Sequence, residues 1–349
     1  MKRTGIEKSL AVLAGAGMLA LLLAGGPIRA AEAPGAGSDS DELRILRPAD
    51  LADLPLLVAE RKQLIEKHAD MLGLGKIAVR WLAPGKGAPA DALSDGSADL
   101  ASLDLGAFIA AWDQKLGSAA ELRALGAVEQ MPYELLTRNP AVQTILDFGP
   151  KDRIAVPPPA GTGPALMLEM AAAQEWGPDQ FSKLDPLIVT RPDAEAAQAL
   201  ASGRGEIDSH FSRMPYADDE LGEKAVHRIM DSFDIAGPHT ATVLAGTKQF
   251  HDANPRLCSA VLAAIEEADK LIRDNPGEAA ETYVAMLKSS GLSVEDMADM
   301  IGDPDLGYAT APAGVKHMLD FLQQTGRLKH RPASWKDLFF SEAQNLPGS

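Results

Sequence analysis

One cysteine, Cys258, stands among 349 residues, so no disulfide can form within the chain and no cysteine-rich metal motif can be assembled. Basic residues are also scarce: 33 Lys and Arg face 49 Asp and Glu, a net charge of −16. A chain this acidic repels phosphate backbones, which excludes nucleic acid as a partner class. Aromatic residues make up only 5%. The seven histidines show no HxxxH or HxH spacing, so neither a metal site nor a metal cofactor is expected. Gly73-Leu74-Gly75 lacks a dinucleotide or phosphate-loop context and reads as a turn. Beyond the N-terminus no apolar run approaches membrane length.

The one long apolar run is Leu10 to Gly26. Lys2, Arg3 and Lys8 precede it, Pro27 breaks it, and Ala30, Ala31 and Ala33 supply small residues for cleavage. That layout is a secretory signal over residues 1–30; a membrane anchor is the alternative, at the short end for a span. With no cysteine near the cleavage zone, the exported chain is expected to be periplasmic and not lipid-anchored. Losing residues 1–30 removes four basic residues and one acidic one, leaving a net charge of −19. Any anion must then be held by local donors against the global field. Residues 31–41 are small and polar, a flexible leader.

From Glu42 onward strands and helices alternate. Short strands are expected around Arg44–Arg47, Ile77–Leu82, Ala98–Leu103, Leu122–Val128 and Glu134–Thr137. Leu54, Leu57, Val58, Leu64 and Ile65 share one helical face, with Asp53 as candidate N-cap and Pro55 in the first turn. A second group of strands covers Arg153–Val156, Leu187–Thr190, Glu206–Phe211 and Val226–Met230. Thr162 is a candidate cap for a helix running to Trp176. After a strand at Thr240–Ala245 the chain is almost wholly helical, and Cys258 sits on an apolar helical face as a small buried residue. Alternation of this kind implies an α/β fold with parallel sheets, and the length allows two lobes.

Four segments resemble one known family. Leu54-Pro55-Leu56-Leu57-Val58-Ala59 is similar to the opening of nitrate/sulfonate/taurine-type solute-binding proteins of ABC transporters. Ala92-Leu93-Ser94-Asp95-Gly96-Ser97-Ala98-Asp99-Leu100-Ala101 resembles a second segment, and Ala197 through Gly203 to Asp208 its counterpart in the other lobe. Asn254-Pro255 and Asp274-Asn275-Pro276 fit the closing helices. The resemblance implies a two-lobed type 2 periplasmic-binding fold, with two crossovers forming a hinge and a small ligand trapped in the cleft. It implies no enzyme activity and no cofactor. The partners it implies are a small organic anion, of the sulfonate or carboxylate class, and an ABC permease with its ATPase. The binder is expected to be a monomer. A pyrimidine-precursor protein on the same fold and a periplasmic sensor subunit are the alternatives, although Cys258 alone cannot supply the iron motif of the former.

Within that frame residues 42–137 plus 234–349 form the first lobe and 138–233 the second, with hinges at Leu135–Arg138 and Met230–Asp234. Ligands of open α/β sheets lie beyond the carboxyl ends of the strands. Those ends nominate Arg47, Asp50, Lys86, Asp104 and Tyr133. In the second lobe they nominate Gly161, Thr162, Ser209, His210 and Phe211, and after the return crossover His239. Gly161 and Thr162 rank first, because a helix N-terminus attracts anions; an ordinary capped helix is the other reading. His210 is either a cleft residue or a satisfied structural histidine.

Overall fold

The structure, a computed structural model, describes residues 41–47, 50–85, 87–158, 163–287 and 292–349. The signal sequence and residues 31–40 of the leader therefore lie outside the described residues. All elements below belong to one compact unit, Ser38–Ser349.

Among the described residues ten strands form two five-stranded sheets. They are β1 (Glu42–Leu46), β2 (Ala78–Leu82), β3 (Leu100–Asp104), β4 (Leu122–Glu129), β5 (Glu134–Thr137), β6 (Ile154–Val156), β7 (Ile188–Thr190), β8 (Ser209–Ser212), β9 (His227–Asp231) and β10 (Thr242–Thr247). The first sheet runs β2-β1-β3-β10-β4 and the second β7-β6-β8-β5-β9. The two share one plan. Three parallel strands stand at one side, and a strand arriving by a crossover lies antiparallel between the third and the fifth. β4, β5, β6 and β8 are nearly continuous runs of buried residues, so both of their faces are covered.

Two expectations change here. The sequence places Glu134–Thr137 in the first lobe, but β5 pairs antiparallel with β8 and β9, with Leu135 opposite Phe211 and Met230. A four-residue buried run has no face pattern that names its sheet. The hinge expected at Leu135–Arg138 is thus inside the second sheet through Thr137. The chain passes from the first sheet to the second between Glu129 and Glu134 and returns between Asp231 and Thr242. Gln130 anchors the first passage by exchanging backbone hydrogen bonds with Gly307, at 2.7 and 2.8 Å.

The helices place the site. The apolar face expected from Leu54 to Ile65 is real, but it is split. Gln63 adopts a left-handed conformation (φ 54, ψ 41) and divides helices Leu54–Lys62 and Leu64–Met71. Both pack against the long helix Pro255–Asp274, which buries Leu257, Cys258, Val261, Leu262, Ile265, Ala268 and Ile272 at spacings of three and four. Each large aliphatic buried there contributes roughly 1.5–3 kcal/mol. Gly246 lets β10 approach β3, since a Cβ there would stand 2.9 Å from both Asp99 O and Leu100 Cδ2. Asp104 ends β3 and caps helix Leu105–Lys115, its Oδ1 accepting from Ala107 N at 3.0 Å. In the second sheet's layer, helix Pro164–Trp176 begins at Gly163 (φ 52, ψ −120), with Pro164 in its first turn.

Candidate functional site

Strand ends from both sheets face one cavity of about 220 Å³. From the first sheet come Asp50, Ala52 and Asp53 after β1, Ser102, Leu103 and Asp104 at the end of β3, and Thr242 at the start of β10. The first crossover adds Tyr133; the second sheet adds Pro157 and Pro158 after β6, Gly163 and Pro164, and Arg213 after β8. This is where an open α/β sheet binds its ligand.

Arg213 holds the centre. Its guanidinium is ion-paired with Asp50 from the other sheet, and Asp193 Oδ2 stands 3.8 Å from its Nε. Burial disfavours the charge, yet Asp50, Tyr133, Asp193 and Glu129 together drive its pKa well above the ordinary value. The Nε–H is shut off from solvent and makes no hydrogen bond.

Asp104 lies opposite. Its Oδ2 accepts from the Tyr133 hydroxyl at 3.1 Å. Burial raises its pKa, against the bonds from Ala107 and Tyr133 and the charge of Arg213. Tyr133 is anchored through its backbone N–H, which donates to Ser232 Oγ at 2.9 Å, and its ring meets Phe211 edge-on at 6.2 Å. Burial, then the Asp104 charge, push its pKa far above the ordinary value.

The strand register aligns three polar side chains. Asp104 pairs with Thr242, and Thr242 with Glu129. Paired residues of antiparallel strands project from one face, so Glu129 leaves the sheet on the side that Thr242 presents to the cavity. Glu129 has no exposed surface, and neither carboxylate oxygen makes a well-formed hydrogen bond, although the Thr242 side chain interacts with it. Burial lifts its pKa to about 8, against the pull of Arg213.

Of the residues nominated from sequence, Asp50, Asp104 and Tyr133 line the cavity. Lys86, Gly161 and Thr162 lie outside the described residues. The others stand elsewhere. Arg47 is half exposed and paired with Glu60. Ser209 is buried, its hydroxyl donating to Thr137 Oγ1 at 2.9 Å. His210 has no exposed surface and sits between Glu220 (Nδ1, 2.7 Å) and Asp193 (Nε2, 3.2 Å). Burial opposes its charge, but the bonds to Asp193 and Glu220 prevail and raise its pKa to about 9. Phe211 is core behind Tyr133. His239 is buried against Phe233, with Nδ1 2.9 Å from Gly237 O, and burial lowers its pKa.

The cause is one of phase. Ending β8 at Phe211 made Ser209 to Phe211 look like strand-end residues. The strand continues through Ser212, all four of its residues are buried, and Arg213 is the residue that emerges. Arg213, Asp53, Ser102 and Thr242 were missed. Asp53 does stand before helix Leu54–Lys62, but its side chain makes no capping bond and accepts from the Ser102 hydroxyl instead. The signal for Arg213 is its place immediately after Ser212, the last residue of β8.

No protein-family profile matches this sequence, and no curated protein matches it. Solved structures do. The periplasmic aliphatic sulphonate-binding protein SsuA from Escherichia coli aligns over 87% of this chain and 93% of its own, at TM-score 0.65 and 20% identity. SsuA from Xanthomonas axonopodis pv. citri, bound to MOPS, aligns over 84% and 96%, at TM-score 0.61 and 15% identity. The periplasmic nitrate-binding protein NrtA from Synechocystis PCC 6803 aligns over 85% and 83%, at TM-score 0.60 and 16% identity. The fold is that of a periplasmic binding protein. At these identities the likeness establishes the fold, and it is the fold that the sequence motifs implied. These neighbours are binding proteins and not enzymes. Among the described residues no helix is long and apolar enough to cross a membrane.

Proposed function

We propose that this chain captures a small organic anion in the cavity between its two sheets and delivers it to an ABC permease in the inner membrane. The observation that carries this reading is Arg213, the one basic side chain among the described lining residues. The guanidinium pairs with Asp50 and stands beside Asp193, and its fork carries more donors than those two contacts use, which an acid oxygen can accept from. The sulfonate- and nitrate-binding proteins of the same fold support the ligand class, and the export signal supports a periplasmic site of action.

A melting-temperature screen of carboxylates, sulfonates, nitrate and pyrimidines tests it. A ligand that binds only the native state raises the melting point by mass action. The reading expects a rise with at least one organic acid. A screen in which no compound moves the melting point would contradict capture.

A further inference from the structure

We propose that Asp193 and His210 are positioning residues for Arg213: clamped by the buried His210, the Asp193 carboxylate holds the guanidinium from behind and presets it for the acid it meets in the cavity. This rests on the capture reading above and adds to it two residues outside the cavity lining.

Four charged side chains form one alternating row behind the cavity. Glu220 Oε1 lies 2.7 Å from His210 Nδ1, and Asp193 Oδ1 lies 3.2 Å from His210 Nε2. The second oxygen of Asp193, Oδ2, faces Arg213 Nε at 3.8 Å. All four belong to the layer of the second sheet. His210 is in β8 and Arg213 follows its end, while Asp193 and Glu220 come from helices Asp193–Ser202 and Tyr216–Leu221. Asp50 pairs with the guanidinium from the other sheet and is no part of this row. The row therefore orients Arg213 without Asp50, and an acid can take the place of Asp50 while Asp193 stays.

Each member of the row sets the next. An imidazole meets a carboxylate at both nitrogens as an imidazolium, because the neutral ring has a single N–H. His210 has no exposed surface, so its charge is balanced by these carboxylates and not by water. Burial opposes that charge, yet Asp193 and Glu220 raise the pKa to about 9. Asp193 in turn gives one oxygen to His210, which fixes the rotation of its carboxylate and directs the other oxygen at Arg213. Released from His210, Asp193 would turn onto the guanidinium and join Asp50 in competing for the donors that an acid needs. Loss of the His210 proton also leaves Arg213 beside an uncompensated carboxylate, in surroundings where charge is poorly screened. A group already held in its bound orientation spares the ligand the cost of ordering it.

The surroundings of the row are mixed. On the strands beside β8 the register partners of His210 are Leu136 and Ala155, which carry no charge. Asp219 faces Glu220, and Tyr216 faces Asp193. Arg213 is faced from the cavity side by Asp50, Asp104, Tyr133 and Glu129. Of these Glu129 titrates near 8, close to His210, so the two must be separated in any pH series. A structural pair of His210 and Glu220 needs no third group. Asp193, with a cation at each oxygen, is what joins that pair to the cavity.

A pH series from about 7 to 10 tests the proposal, in a Glu129→Gln background that removes the Glu129 titration. Calorimetry uses propanoate, ethanesulfonate and the acid that most raises the melting point. Affinity for an acid that binds should fall about fivefold or more as the pH passes through about 9. Glu220→Gln does not touch Arg213, yet it should move the midpoint of that fall down by about one pH unit or more, the usual effect of a lost opposite charge. Should Glu220→Gln fail to fold by circular dichroism, His210→Asn replaces it, with weaker binding that no longer falls through pH 9. The nitrogen-15 resonance of Arg213 Nε, identified by its absence in Arg213→Gln, should titrate with the same midpoints without any ligand. A resonance that does not titrate, or that keeps its midpoint in folded Glu220→Gln, would overturn the proposal and leave capture standing. So would a resonance that titrates while acid affinity stays constant with pH. If no acid binds here or in the melting screen, capture falls and the role given to the row falls with it.

Discussion

Arg213, the first residue after β8, is ion-paired with Asp50, which follows β1 in the other sheet. The pair bridges the two sheets across the cavity that both line. Asp50 therefore competes with an incoming acid for the guanidinium. Asp50→Asn should remove that competition and keep the hydrogen bond that Asp50 Oδ1 accepts from Leu51 N at 2.6 Å. The variant should bind an acidic ligand several-fold tighter, read by calorimetry. Weaker binding would mean that Asp50 orients Arg213 and does not compete with the ligand.

Gly163 permits Asp104 its place. Its φ of 52 and ψ of −120 suit glycine, and a Cβ would collide with Asp104 Oδ2. Gly163→Ala should destabilise the protein by about 1–3 kcal/mol through backbone strain and weaken ligand binding by displacing Asp104. Denaturant unfolding together with a ligand titration reads both. An alanine variant with wild-type stability and affinity would remove Gly163 from the account.

His210 is a buried cation held between Asp193 and Glu220. Its pKa rises from 6.5 to about 9 on folding. A raised pKa stabilises the fold fully below pH 6.5, and that stabilisation is lost as the pH rises through 9. Wild type should thus exceed His210→Asn in stability most at pH 6, with the gap closing toward pH 9.5. The change should be no more than about 3 kcal/mol. Unfolding midpoints across that range measure it, and a gap independent of pH would show that His210 is neutral in the fold.

Glu129 works in the opposite direction. Facing Arg213, Asp50, Asp53, Tyr133, Tyr308 and Thr242, it titrates near 8 in the fold against 4.5 in its ordinary state. Between those values the native state holds a proton that the unfolded chain releases, so stability falls as the pH rises through this window. Glu129→Gln should match wild type at pH 4 and be the more stable at pH 8.5. A variant less stable than wild type at pH 8.5 would mean that the Glu129 carboxylate is satisfied in the native state.

Much of the architecture is legible in the sequence. Alternating strands and helices gave the α/β class, and the segments at Leu54–Ala59 and Ala92–Ala101 implied the fold that the solved structures share. Asp50, Asp104 and Tyr133 reach the cavity as expected of strand-end residues, because a carboxyl-end position needs only the approximate end of a strand. Arg213 is not legible in this way, because β8 has side chains buried on both faces and no alternation to mark where it stops. The sheet assignment of β5 was lost for a related reason: its partners β8 and β9 are about 70 and 90 residues away, and pairing over such distances leaves no local pattern. From sequence His210 reads as a cleft residue because it stands next to the expected end of its strand. The carboxylates that bury it come from helices Asp193–Ser202 and Tyr216–Leu221, on either side of it in sequence.

The central claim is that a small acid is captured at Arg213. Calorimetry of wild type and Arg213→Gln, with whichever compound most raises the melting point, tests it most directly. The account predicts one molecule bound per chain in wild type and affinity lower by about tenfold or more in the folded variant, the scale of a lost hydrogen bond to a charged group. Equal affinities in the two proteins would contradict it, because the ligand would then be held somewhere other than the cavity between the sheets.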